Sequence, residues 1–576
     1  MTVLELPDTL KGPWDHALIL TYGADIPFYE QVLSRQFASR CRNKIILMDG
    51  RQYLDACAHY ADAGLVRHLN QRYVVEGIFV PHAAHAKIIL LANPDRGRLL
   101  VGSGNLGWQG YASGGEIFTC YEYDVAKPQD LPAFVAVREL VEHVLGGDYV
   151  GVAAQRHIGF LLEETPWLFA VSPSTERPVR HNLTRSFVDQ LREAIGDETV
   201  EELWVLSPFY DQEAAAAERL LDTFAPHRMV LLLQPRYASA DPSSLQALIE
   251  HASGRCQVQP FTVGDEGCYA HAKMYLFKMA NRAVCLQGSP NLSRVAMLAS
   301  GLSANIEVAN LVTGPRHAFD HILEALTIEP AVETLDALEL SYRSDGPIAG
   351  VRDQDWYLMG GEWSEDHLTL RYAGVMPDVR TACLIVDSHT FPLVILGHGG
   401  GTVIVRVAPD AADLLARPVS VSIRWGDGDS ARESNPIIVC NKASLDAMLD
   451  VEGATEALKG AGSLDLEDSE LEELFDELEA SLVLDQQSVW NLTGHRTSEG
   501  TTSSDEIHID YADIDYDALR QHPRMQQYLY GSTGRHGNNQ TKLQIIVLGK
   551  DMLHSYPPVC MPAAGTVERG VCVPRG

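Results

Sequence analysis

A polar pattern that occurs twice at a fixed spacing constrains this chain more than any other feature. His85-Ala86-Lys87 is followed by Gly102-Ser103-Gly104-Asn105, and His271-Ala272-Lys273 is followed by Gly288-Ser289-Pro290-Asn291. In both copies 18 residues separate the histidine from the serine, and the second copy begins 186 residues after the first. A constellation repeated at constant offset marks an internal duplication, so the chain around each copy must fold in the same way.

The flanking sequence supports two similar halves. Ala17 to Leu20 and Lys44 to Met48 are apolar runs of strand length, and Phe28, Val32, Leu33 and Phe37 between them share one helical face. The second half repeats the plan over 183–328. It has strands at Leu203 to Leu206, Met229 to Leu233 and near Gln257, with helices at Gln212 to Phe224 and Ser244 to His251. Strands alternating with helices predict an α/β sheet in each half. Within each copy, histidine and lysine at i and i+2 of an apolar strand point to one face of the sheet. A return strand (Arg98 to Val101, or Ala283 to Gln287) carries the glycine, serine and asparagine back to that pair. A helix opening at Asn291 to Met297 would aim backbone N–H groups at the same spot.

Two such half-sites face to face surround one phosphoryl group with His85, Lys87, Ser103 and Asn105 from one half, and His271, Lys273, Ser289 and Asn291 from the other. Lysines neutralise its charge, while serine and asparagine donate hydrogen bonds to oxygens that gain charge. One histidine attacks phosphorus, and the other protonates the leaving oxygen and then activates water. His85 is assigned as nucleophile and His271 as general acid. Lysine supplies the electrophile, so no metal or cofactor is expected. Each imidazole needs a carboxylate on its far nitrogen to fix its tautomer. Glu307 follows the second half-site and Glu116 the first, but these two are 191 residues apart, off the 186 offset.

This double pattern resembles the phospholipase D superfamily, over roughly residues 15–328. The resemblance implies two pseudo-twofold α/β/α lobes with the site at their interface and a covalent phosphohistidine intermediate. The family's fuller motif carries an aspartate five positions after the lysine; those positions here are Ala92 and Lys278. The same loss is found in tyrosyl-DNA phosphodiesterases and nuclease-like members, and it points away from the lipid-cleaving enzymes.

Beyond the lobes the texture changes. Alternating segments such as Leu368 to Tyr372, Thr402 to Val407 and Val419 to Arg424 predict a β-sandwich-like domain. Residues 463–485 carry ten acids and no Lys or Arg, with leucines along one helical face. Such a segment reads as a solvated helix, a partner-docking helix, or a nucleic-acid mimic over a cationic cleft. Gly, Ser and Thr dominate 495–505, as in a linker. The expected boundaries are 1–165 and 166–330 for the two lobes, 336–440 for the β-sandwich-like domain, 441–490 for the acidic helical segment, and 491–576 for a linker and irregular C-terminal region.

The formal net charge is −32, so the whole-protein field repels phosphate substrates, and binding must rest on local cations. Candidates are Arg180 and Arg185 beside His181, with Trp108 either stacking on a base or packing between the lobes. The N-terminus has no signal-peptide pattern and no apolar run reaches membrane-spanning length. The ten cysteines form no CxxC pair, which fits a cytoplasmic chain. The expected function is a metal-independent phosphodiesterase. A nuclease or DNA-end-processing enzyme in bacterial genome defence is the favoured form, with an ATPase or helicase as partner and a monomer or homodimer as the assembly. The alternatives are a phospholipid phosphodiesterase or transphosphatidylase, and a non-catalytic phospholipase D-like scaffold.

Overall fold

The computed structural model describes residues 2–3, 9–37, 41–60, 66–111, 115–170, 176–264, 268–342, 356–377, 382–426, 431–449 and 545–549. The acidic stretch 463–485 and the linker 495–505 lie outside them.

Each half is built on an eight-stranded sheet, and six adjacent strands of each follow one plan. In the first lobe His16–Leu20 pairs in parallel with Asn43–Asp49, which pairs in parallel with Val74–Ile78. On its other side His16–Leu20 pairs antiparallel with Ile88–Ala92, which leads antiparallel to Arg96–Gly102 and then Glu116–Asp124. The second lobe repeats this order with Glu202–Leu206, Arg228–Leu233 and Cys256–Thr262 on one side, and Met274–Lys278, Arg282–Gly288 and Val308–Pro315 on the other. Three strand pairs (His16–Leu20 with Glu202–Leu206, Ile88–Ala92 with Met274–Lys278, Arg96–Gly102 with Arg282–Gly288) keep the 186-residue offset. The position beside the last strand differs between lobes. Val179–His181 fills it antiparallel in the second lobe, and the C-terminal strand Ile545–Gly549 fills it in parallel in the first.

Strand periodicity explains why each sheet is covered on both faces. In the first lobe Ile19, Ile46, Met48, Ile89 and Leu91 pack with Tyr53, Leu54 and Cys57 of the helix Gly50–Tyr60. Their neighbours Leu18, Leu20, Ile45, Leu47, Ile88 and Leu90 pack with the helices Leu131–Gly146 and Val152–Glu164. Successive side chains thus enter two different cores, and a continuous apolar run is needed to fill both. The second lobe sorts likewise: Leu203, Val205, Leu231 and Leu233 face the helices Phe187–Ile195, Ala215–Phe224 and Pro242–His251, while Leu206, Val230 and Leu232 face Phe319 and Ile322. The cores also interlock. Ile306 and Val308 of the second lobe are buried with the first lobe's core, and Ile117 of the first with the second's.

The third region is β-sandwich-like. One sheet runs Val394–Gly399, Thr402–Arg406, His367–Gly374, Trp356–Ser364 and Cys440–Asn441; the other holds His389–Pro392, Cys383–Val386, Ser420–Trp425 and Arg432–Glu433, with Ile437–Ile438 pairing off Ser420–Trp425. Leu358, Leu368, Leu370, Val403 and Val405 of the first sheet share one buried cluster with Leu384, Val386, Val421 and Ile423 of the second. That cluster continues into the first lobe, and polar contacts fasten the two together. Arg156 forms ion pairs with Glu362 at 2.8 Å and Asp446 at 2.9 Å, and the Asn70 side chain donates to Ile438 O at 2.8 Å. Among the described residues no helix is long and apolar enough to cross a membrane.

At the foot of the first sheet, Asn43 sits between two buried histidines. Its Nδ2 contacts His16 Nδ1 at 3.0 Å and its Oδ1 contacts His157 Nδ1 at 2.9 Å. Burial, reinforced by Arg42, lowers the His16 pKa to about 4; burial, reinforced by Arg156, does the same for His157. In the unfolded chain both take up a proton near pH ~6.5. Stability is therefore full above that value and falls as the pH drops towards 4, by about 2 kcal/mol per histidine at pH ~5. His157→Gln is expected to flatten this loss. Denaturant midpoints at pH 7.5 and pH 5 measure it, and parallel pH slopes for wild type and variant would contradict it.

Candidate active site

The duplicated residues sit at equivalent ends of the two sheets. His85 and Lys87 lie on the extended lead-in to Ile88–Ala92, and His271 and Lys273 on the lead-in to Met274–Lys278. The sequence reading placed them inside the strands. The difference has a physical cause: each lead-in leaves its own sheet and hydrogen-bonds the other lobe. His85 N donates to Ile306 O at 2.9 Å, and Ile306 N donates to Ala83 O at 2.8 Å. His271 N and Ala272 N both donate to Gly115 O at 3.0 Å. Gly115 adopts φ +83°, a left-handed conformation that glycine reaches without steric cost.

Gly102 and Gly288 end the return strands, against the neighbouring strand's backbone. A Cβ would lie 2.5 Å from Ile117 O at the first and 2.6 Å from Val308 O at the second, so only glycine fits. The next residue then meets a carboxylate. The Ser103 hydroxyl donates to Glu116, and the Ser289 hydroxyl to Glu307. Both hydroxyls also accept a backbone N–H, from Ile117 at 3.0 Å and from Val308 at 2.9 Å.

The carboxylates cross over. Glu307 of the second lobe contacts Nδ1 of His85 at 2.9 Å, and Glu116 of the first contacts Nδ1 of His271 at 2.8 Å. Sequence proximity pairs each glutamate with its own half-site, whereas space pairs it with the opposite histidine. The 191-residue offset is resolved by strand register: Gly102 pairs with Phe118 and Gly288 with Ala309, so Glu116 and Glu307 occupy equivalent places. The second copy simply has five more residues between its serine and its glutamate.

All of these groups are deeply buried: His85, Lys87, Lys273, Ser103, Ser289, Asn291 and Glu307 are at most 1% exposed. Burial pushes the Glu307 carboxyl up, but the charges of His85 and Lys87 and the hydrogen bonds from His85 and Ser289 outweigh it, and the pKa falls below the ordinary value. An ionised carboxylate only accepts, so the His85 proton sits on Nδ1 and leaves Nε2 as the reactive nitrogen. Lys273 Nζ lies 2.6 Å from Nε2 of His271, and an ammonium only donates, so His271 also holds its proton on Nδ1. Lys87 instead donates to the carbonyl of His85 at 3.1 Å. The Asn291 amide is fully buried, with neither Nδ2 nor Oδ1 partnered among the described residues. Leaving the Nδ2 donor unsatisfied costs roughly 1–3 kcal/mol, which a bound oxyanion accepting from it would relieve.

The 186 offset extends to polar residues that motif reading missed. Thr21 Oγ1 accepts Leu106 N and Ser207 Oγ accepts Leu292 N, each at 3.0 Å. Asp25 N donates to Leu106 O and Asp211 N to Leu292 O, at 2.8 and 3.3 Å. These bonds tie the loop after each asparagine to the first strand of its lobe; comparing the two halves position by position would have revealed them. The aromatic walls also went unforeseen. Tyr22 meets His85 edge-on at 5.2 Å, while Phe209 and Tyr269 flank His271 at 6.1 and 5.8 Å. Tyr237, 38% exposed, lies 5.5 Å from Tyr269.

Other expected residues have different surroundings. Trp108 packs edge-on against Phe28 at 6.5 Å, half-buried at the margin of the first lobe's core. Arg180 and Arg185 line a separate cavity at the lobe boundary. The helix expected from Asn291 is a five-residue π-turn, Arg294–Leu298, too short to offer a row of free N–H groups.

No family model and no curated protein matches the sequence. Among solved structures the chain is similar to polyphosphate kinase from Porphyromonas gingivalis, at 13% identity and a TM-score of 0.30, over 55% of this chain and 47% of the kinase. The chain thus spans about half the length of that protein. It is also similar to a mutant of yeast tyrosyl-DNA phosphodiesterase, at 10% identity and a TM-score of 0.33, over 52% of this chain and 83% of the other.

The crossed geometry makes a specific prediction. Glu307→Gln is expected to disturb His85 and leave His271 unchanged, and Glu116→Gln to do the converse. Imidazole nitrogen NMR shifts of selectively labelled protein read this directly. Perturbation of the same-lobe histidine instead would refute the crossing.

Proposed function

We propose that this chain is a phosphodiesterase of the phospholipase D type, acting on nucleic acid through a phosphohistidine. The observation that carries the reading is the pair of crossed Ser–Glu–His chains, each with a buried lysine beside its histidine. With neutral imidazoles, two lysines balance two glutamates, so an incoming phosphodiester meets cations without an excess of fixed negative charge.

In this reading Nε2 of His85 attacks phosphorus, forming an N–P bond as the P–O bond to the leaving group breaks. Glu307 stabilises the positive charge that develops on the ring. As the substrate phosphate draws the Lys273 ammonium off Nε2, His271 takes up a proton from solvent there, balanced by Glu116, and gives it to the leaving oxygen. His271 then takes a proton from water, whose oxygen attacks phosphorus and breaks the N–P bond. Lys87, Lys273, Asn105 and Asn291 hold the phosphate oxygens. Ser103 and Ser289, whose hydroxyls are committed to carboxylates, act as positioning residues for Glu116 and Glu307.

The assignment of His271 as acid rests on the asymmetry of the walls. Phe209 and Tyr269 border His271, with Tyr237 packed outside Tyr269, and this wall suits a leaving group with a flat face, such as a nucleobase. Positive charge from lysine makes a divalent cation unnecessary for these steps, so cleavage is expected to continue in EDTA.

Purified protein incubated in EDTA with single-stranded DNA, duplex DNA, RNA, a tyrosyl-DNA conjugate and phosphatidylcholine vesicles tests the reading. Cleavage of a nucleic acid is expected, and His85→Asn should lower it at least about 10³-fold. Brief reaction with 32P-labelled substrate should leave label on His271→Asn and none on His85→Asn. The reverse labelling would exchange the two roles. A strict need for divalent metal, or turnover of lipid alone, would overturn the proposal.

Glu307→Gln should lower kcat by about 10²–10⁴-fold with little change in KM, because it alters charge beside the nucleophile and not substrate contact. A rise in KM at unchanged kcat would assign Glu307 to substrate binding instead.

A further inference from the structure

The edge strand Val179–His181 lies where the second lobe meets the first lobe's helix Leu131–Gly146. A cavity of about 140 Å³ opens there, lined by Glu139, Arg177, Arg180, His181, Arg185 and Gln190 among others. That is several times the ~30 Å³ occupied by one water molecule, which is room for a phosphate-sized oxyanion.

The cavity's charges do not cancel. Arg177 and His181 share one carboxylate, Glu139, at 2.6 and 3.1 Å, and Arg185 is paired with Glu193 at 2.6 Å. Arg180 has no carboxylate within ion-pair distance among the described residues, and its buried Nε has no hydrogen-bond partner. The buried Nδ1 of His181 also lacks one. Burial holds the Arg180 pKa below its ordinary value, and Arg177 and Arg185 add to the effect against the pull of Glu193. In a chain of net charge −32, an unpaired guanidinium beside two other arginines is a local reversal of field. The half-buried guanidinium thus keeps a buried Nε donor that an entering anion can accept from.

The cavity is also wired to the active site. The residue after His181, Asn182, accepts Glu307 N at 2.9 Å and donates to Asn305 O at 2.8 Å. Glu307 in turn holds His85.

We propose that this cavity is a second oxyanion site, in which Arg180 binds a phosphate group with Arg177 and Arg185 at the rim. Resting on the nucleic-acid reading of the active site, the group is a backbone phosphate neighbouring the scissile one. A free phosphate offers the same chemistry, and the experiment separates the two.

Calorimetry of the full-length protein with inorganic phosphate, against chloride at matched ionic strength, should give two sites. Arg180→Gln should remove one of them, and Arg177→Gln, at the exposed rim where folding is not at risk, should weaken the same one at least about fivefold. Thermal midpoints without phosphate verify that both variants fold. Binding of a short oligonucleotide to the cleavage-inactive His85→Asn chain is then compared with and without Arg180→Gln. A tenfold loss identifies the substrate's own backbone phosphate, and unchanged affinity identifies a free phosphate. Phosphate isotherms of both arginine variants identical to wild type would overturn the proposal. Phosphate bound through Arg180 in a chain that cleaves no phosphodiester would sink the active-site reading and leave this one standing.

Discussion

Everything in the lobes depends on two carboxylate–imidazole hydrogen bonds that cross from one half of the molecule to the other. Glu307 reaches back to His85, and Glu116 reaches forward to His271. Each glutamate is held by the serine of its own lobe and by the histidine of the other. Docking of the lobes therefore completes the hydrogen bonding of both buried carboxylates. The same logic reappears in the uncharged contacts: Gln287 donates to Thr119, Tyr121 donates to Asn310 at 3.0 Å, and Asn310 donates to Val101 O at 3.1 Å, all across the boundary.

The sequence made the skeleton legible because a duplication constrains twice over. A fixed offset of 186 residues located the strands, the histidine–lysine lead-ins and the serine turns in both lobes together. The six alternating positions from Leu18 to Leu20 and Ile88 to Leu90 could be read as buried without knowing which core each enters. The crossing of the glutamates was not legible, since sequence distance favours the near half-site and a five-residue difference in loop length hid their equivalence. Nor was the serine's commitment to a carboxylate, which depends on the neighbouring strand's register. The aromatic walls were invisible for another reason: Tyr22 and Phe209 break the repeat, and a repeat search discards what differs. The sandwich-like region was readable from alternation alone, but its fusion with the first lobe's core was not, because Arg156, Glu362 and Asp446 meet only in space.

Net charge and local charge do opposite work here. At physiological ionic strength a field from distant carboxylates is screened beyond about 8 Å, whereas a buried lysine keeps its full effect on a phosphate in contact. Lys87 and Lys273, each at most 1% exposed, are shielded by the protein from the acidic surface that surrounds them. An acidic chain can thus hold a phosphodiester, provided the contact is short and dry. The cost falls on encounter, since the surface slows the approach of a polyanion.

A site made by duplication begins symmetric, but the reaction it must perform is not. In the proposed reaction one side of the scissile bond becomes a covalent adduct and the other departs, so identical half-sites would bind substrate in two opposite senses with equal affinity. The duplicated scaffold therefore has to acquire its direction from residues outside the repeat. Among the described residues these include Tyr22 beside His85, and Phe209 and Tyr269 beside His271, with Tyr237 against Tyr269. The lysines diverge as well, one bonded to its histidine's backbone and the other to its histidine's ring. An interaction difference of ~1.4 kcal/mol between the two walls already orients substrate tenfold, and one aromatic stack supplies that much. Under the proposed function, direction is consequently carried by the walls, while the duplicated core carries only the chemistry.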